Sequence, residues 1–140
     1  MVREIIFRGQ RIDNGEWVFG YYWQNCGGAF IQSREGSVYA GIHEVNPDTV
    51  GQYFGLKDAI ETKLFPGDII KTKHVRSTGE GFEIEDYEKI GVLEYYHGYH
   101  FGPRLRWKKG HMMIPNTSTL WRLKAEVLGS IYENPELIEV

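Results

Sequence analysis

The chain has 140 residues, 41% of them hydrophobic and 14% aromatic, with sixteen Lys and Arg against nineteen Asp and Glu for a net charge of −3. That length suits one domain with a sizeable core, the hydrophobic share excludes wholesale disorder, and the lone Cys26 excludes a disulfide framework or a multi-Cys zinc site. No apolar run reaches the roughly 20 residues of a bilayer span, Met1 to Arg8 lacks the apolar core of a signal peptide, and a single thiol suits a reducing compartment, so a soluble, cytoplasmic protein is expected.

Gly occurs 17 times and Phe, Trp and Tyr seven, four and nine times. Glycine weakens helix interiors, and aromatic side chains suit a pleated surface, so the composition predicts a mainly β fold with many turns. Glu4 to Arg8 is a first short strand. Asp13-Asn14-Gly15 tolerates positive φ and predicts a hairpin into Glu16 to Gln24. That second strand places Trp17, Phe19, Tyr21 and Trp23 on one face and Val18, Gly20 and Tyr22 on the other. Asn25 to Gly28 breaks it, and strands follow at Ala29 to Gln32 and Ser37 to Val45. Asn46-Pro47-Asp48 predicts a helix start of one or two turns, with Val50, Tyr53 and Phe54 on its buried face. Pro66-Gly67-Asp68 launches a strand over Ile69 to Val75. Further strands are predicted at Phe82 to Glu88, Lys89 to Tyr96, Tyr99 to Trp107 and Ala125 to Tyr132, and a short helical turn at Asn134-Pro135-Glu136. The strands from about Leu64 onward read as a small barrel. Any subdivision of the chain falls near 58/59, with N-terminal strands before it and the barrel after it.

The charge is unevenly placed. From Tyr95 to Ala125 there is no acid, but there are Arg104, Arg106, Lys108, Lys109, Arg122 and Lys124, so this stretch carries +6 and the remainder −9. Arg104, Arg106 and Lys108 alternate along one strand face beside Trp107. Cations with interleaved rings suit single-stranded nucleic acid, through phosphate neutralisation and base stacking. The same pattern also suits solvated positions facing Glu83, Glu85 and Asp86 across a ladder. The two-sided aromatic strand, with Trp17, Phe19, Tyr21 and Trp23, is a candidate oligomer interface.

Catalytic signals are weak. His97 and His100 make at best half a metal site and lack a nearby Cys or acid, so no metal or other cofactor is expected. Asp58 and Asp68 suit turn capping, and an acid–base role would need them to converge. Cys26 has no neighbouring base to activate it. Nothing positive supports an enzyme.

Five blocks carry a resemblance. They are Arg3 to Ile12 with Asn14 to Tyr21, Asp48 to Asp58, Gly67-Asp68-Ile69-Ile70, Gly91 to Tyr95, and Val127 to Leu137. Together and in this order they resemble the YopX-like family of phage and prophage proteins over nearly the whole chain. Ala59 to Leu64 departs from the family, which commonly has an Asn-Gly turn there. The resemblance implies a single YopX-like domain over 1–140 with an SH3-like barrel portion, made in the cytoplasm of a bacterial host, with no established activity and no catalytic residues to carry over. The expected function is that of a non-enzymatic phage accessory protein, a binding module for a host or phage macromolecule and not for a membrane. Nucleic-acid binding through Arg104, Arg106, Trp107, Lys108 and Lys109, and homo-oligomeric assembly, are the alternatives.

Overall fold

A computed structural model describes residues 4–35, 38–77, 84–97 and 101–138. The fold is mainly β, in two antiparallel sheets of five strands each. The chain divides into two compact units, Met1–Gly55 and Leu56–Val140.

In the first unit, β1 (Phe7–Gln10), β2 (Trp17–Asn25), β3 (Gly28–Glu35), β4 (Val38–Val45) and the two-residue β5 (Gly51–Gln52) are ordered β4-β3-β2-β1-β5. The predicted first hairpin is present: Gly15 has φ +74° and donates its N–H to the Arg11 carbonyl, while the Asn14 side chain accepts from Glu16. Ala29, Ile31 and Val45 form a core to which β2 contributes Val18 and Tyr22. Asn46 caps a 3₁₀ turn at Pro47–Thr49, its side chain accepting from the Asp48 N–H. The expected helical face through Phe54 does not form. The turn ends at Thr49, and Gly51-Gln52 instead pairs with β1, because Gly51 supports an extended backbone as readily as a helix.

In the second unit, β6 (Asp68–Ser77), β7 (Ile84–His97), β8 (Phe101–Trp107), β9 (Gly110–Met113) and β10 (Glu126–Ser130) are ordered β10-β6-β7-β8-β9. The two strands expected over Phe82 to Tyr96 are one continuous β7. It pairs with β6 through Ile84 to Val92 and with β8 from Val92 to His97, so it changes partner at its middle. A helix, α1 (Thr117–Arg122), precedes β10 and is capped by Asn116, which accepts from the Thr119 N–H. Strands β5 and β9 and helix α1 have no counterpart in the sequence reading. Ile69, Ile70, Leu93, Leu105, Ile114 and Leu120 are buried between these elements. Strands β9 and β10 stand at opposite ends of the sheet order, and no pairing between them closes a barrel among the described residues. No helix among those residues is long and apolar enough to cross a membrane.

Candidate binding site on the β7–β8 ribbon

Successive side chains of a strand point to opposite faces, which sorts the basic cluster into two groups. Arg104 and Arg106 lie on the face of Glu94, as the β7–β8 register requires. Arg104 donates its Nε to Glu94 at 2.9 Å and Arg106 donates its Nε to the same oxygen at 3.1 Å. A second Arg104 nitrogen also reaches that oxygen. One carboxylate thus serves both guanidiniums. Burial pushes the Glu94 carboxyl up, but the hydrogen bonds and charges of the two arginines outweigh it and hold Glu94 below the ordinary carboxylate range. Glu83, expected as an opposing acid, lies outside the described residues, as do the side chains of Glu85 and Asp86.

Trp107 belongs to the other face. The Lys89 ammonium sits over its ring at 3.8 Å, with Tyr87 5.6 Å from the same ammonium. His74 stacks on Tyr87 with ring centroids 5.2 Å apart and shares a 2.7 Å hydrogen bond with Thr72. Burial, and then the charge of Lys89, push the His74 imidazole down, so it is neutral at neutral pH. The Arg104 guanidinium lies 4.2 Å over Tyr96 on the Glu94 face. Lys108 and Lys109 are exposed in the turn between β8 and β9. Strand alternation therefore separates Trp107 from Arg104 and Arg106, although all are close in sequence.

Near the point where β7 changes partner, a cleft of about 240 Å³ opens. Ile90, Gly91 and Val92 line it from β7, Arg106, Trp107 and Lys108 from β8 and the following turn, and Leu137 and Ile138 from the C-terminal 3₁₀ turn Pro135–Ile138. Gly91 is required there, since a Cβ would stand 2.7 Å from the Arg106 carbonyl oxygen. Sequence reasoning found Arg106, Trp107 and Lys108 and the C-terminal helical turn, but not that Ile90, Val92 and that turn join them in one cleft, because that packing is tertiary.

Other candidate residues have structural partners. Asp58 is fully buried and accepts from the N–H groups of Ile60, Thr62 and Val127. Asp68 accepts from the Phe65 N–H, and the two acids engage different turns. Cys26 is exposed at the β2–β3 hairpin tip. His100 lies outside the described residues, among which no group of three or more His, Cys, Asp or Glu converges. On the first sheet, Trp17 carries the Arg8 guanidinium 4.1 Å over its ring, Trp23 stacks on Phe30, and Phe19 and Tyr21 are 42% and 40% exposed.

The Glu94 bridge gives a first expectation. A carboxyl lowered in the folded state contributes stability above its ordinary value of 4.5, and that contribution is lost as pH falls through the folded value. Glu94→Gln is expected to cost about 1 kcal/mol at neutral pH, the exposure of Arg106 limiting the loss, and to flatten the acid limb of the stability profile. Urea midpoints from pH 7 down to pH 3 measure both effects.

No curated protein matches the chain. Among solved structures it is similar to the crystal structure of protein EF1440 from Enterococcus faecalis, with 20% identity over 99% of this chain and 100% of that one and a TM-score of 0.56. That likeness is one of fold. The model of the family described as YopX protein matches residues 10–139, nearly the whole chain, and the protein therefore belongs to the YopX family.

Proposed function

We propose that the protein is a non-enzymatic accessory protein of phage or prophage origin, acting in the bacterial cytoplasm as a binding module for a host or phage macromolecule. The observation that carries this reading is the cleft between the β7–β8 ribbon and the C-terminal turn, where apolar side chains meet the cations Arg106 and Lys108 in a concave site. We also propose that the second unit is an SH3-like barrel. Four strands in a meander, a helical turn and a fifth strand returning to the first support it, as does the change of partner along β7.

A photo-crosslinking amino acid tests the binding reading. Placed at Lys108, it is expected to give a discrete adduct in bacterial lysate that the same group at Ile60, which is 73% exposed, does not give. The adduct is expected to disappear when Ile90→Glu is added. Identical adducts from both positions, or none, would overturn the reading.

One observation favours a second reading, single-stranded nucleic acid. Lys89 with Trp107 and Arg104 with Tyr96 place cations beside rings. Here the Lys108 adduct would be lost to nuclease, and Glu94→Gln, which removes the carboxylate that both arginines share, would tighten oligonucleotide binding.

A further inference from the structure

The cleft is lined by the aliphatic residues Ile90, Val92, Leu137 and Ile138, by Trp107, and by a cationic rim of Arg106 and Lys108. Val92 is nearly buried, but Ile90 is 41% exposed and Leu137 38%, so apolar surface remains in contact with water. Arg106 has half its side chain exposed and donates its Nε to Glu94, and Lys108 is exposed beside it. At about 240 Å³ the site is smaller than the 300 Å³ or more typical of ligand pockets and suits a few side chains rather than a cofactor.

The wall supplied by the chain itself shows which chemistry fits. The closing turn reads Pro135-Glu136-Leu137-Ile138 and places Leu137 and Ile138 against the cleft. Glu136 stands in that same turn, and the sequence has no cation after Lys124, so an acidic, aliphatic segment already borders the Arg106 and Lys108 rim. From this charge complementarity we infer that the cleft docks an acidic, aliphatic peptide segment of a partner protein, its aliphatic side chains on Ile90 and Leu137 and its carboxylates toward Arg106 and Lys108. This rests on the reading that this face binds a macromolecule, and it names the partner's chemistry. Nucleic acid fits less well, because most side chains lining the cleft are aliphatic and the Trp107 ring there already carries Lys89.

Fluorescence anisotropy of the full chain tests the inference with a labelled hexapeptide, Asp-Glu-Leu-Ile-Asp-Glu, and a control in which both aliphatic residues are Ser. Saturable binding is expected for the first, with at least tenfold weaker binding for the control. The same loss is expected on the double change Arg106→Ala and Lys108→Ala, and on Ile90→Glu, whose exposed position lets the variant fold. Binding should also weaken as salt screens the rim. Equal binding of the two peptides, no binding, or binding indifferent to the substitutions would overturn the inference. So would an oligothymidylate that binds through Arg106 and Lys108 while the peptide does not. If the peptide fails but the Lys108 crosslink persists, the docking inference falls and the binding-module reading stands. Loss of both removes both.

Discussion

Replacing Asp58 by Ala is expected to lower the stability of the second unit by about 4 kcal/mol, a large part of the roughly 5–15 kcal/mol by which domains of this size are stable. The side chain is 0% exposed, and its two oxygens accept from the N–H groups of Ile60 at 3.0 Å, Thr62 at 2.8 Å and Val127 at 3.2 Å. Two of these donors belong to the loop that follows Asp58 and the third to β10, so one carboxylate fixes a turn and attaches it to an edge strand. Truncation to Ala removes a fully buried side chain and leaves three part-buried donors without their acceptor, and an unmet donor closed to water costs about 1–3 kcal/mol. Asp58→Asn is the informative control. It keeps one acceptor oxygen but turns an NH2 toward a backbone donor, so about half of the loss is expected. A urea midpoint shifted down at constant slope, with hydrogen exchange accelerated at Ile60, Thr62 and Val127, would establish this role. An unchanged midpoint for the Ala variant would refute it.

The same loop shows what the sequence could and could not disclose. Asp58 was recognisable as a capping residue because a short acid after Gly55 suits a turn, but its bond to Val127 joins residues 69 apart in the chain and leaves no local trace. The segment Ala59 to Leu64 lacks the Asn-Gly turn common in the family, yet the left-handed backbone is still present, at Glu61 with φ +68°. The Glu61 N–H donates to the Asp58 carbonyl, so the turn is held by hydrogen bonds where glycine would have supplied conformational freedom.

Several turns carried by Asn, Gly and Pro were readable, since their mechanism is local. The Asn14 hairpin and the Asn46 cap are two cases. Helix α1 was not, because Thr117-Ser118-Thr119 has poor helix propensity and the helix depends on the Asn116 cap and on burial of Leu120. The length of β7 was equally hidden. Nothing in its sequence marks the residue at which it exchanges β6 for β8, a property of its neighbours.

In the candidate site, the alternation of Arg104 and Arg106 was legible, and so was the polarity of charge along the chain. The partner Glu94 was not, because a β7–β8 register one residue away would have set a different residue opposite Arg104. The cleft was the least legible element, since its wall comes from the C-terminal turn, more than 25 residues along the chain from Arg106.

Gly20→Ala is expected to destabilise the first unit by about 3 kcal/mol or more, the upper range for forcing atoms into a packed interior. A Cβ at Gly20 would stand 1.9 Å from the Gln32 carbonyl oxygen and 2.8 Å from its carbon, which are backbone atoms that no side-chain rotation can move. Strand β2 is central in the order β4-β3-β2-β1-β5, with Gly20 opposite Ser33 on β3 and Phe7 on β1. Moving it away from β3 therefore strains its pairing with β1. The β3–β4 pairing is already irregular between Gln32 and Arg34, so the strand that must yield is bent where the new methyl arrives.

Gly15→Ala separates steric from conformational cost. Gly15 has open space around its Cβ position, and its φ of +74° is the sole obstacle. Ala there should lose only the roughly 1–2 kcal/mol of a left-handed backbone, and Asn less still. Thermal denaturation of both variants decides the matter. If Gly20→Ala melts no lower than Gly15→Ala, the close approach of β2 and β3 is not what requires glycine at position 20.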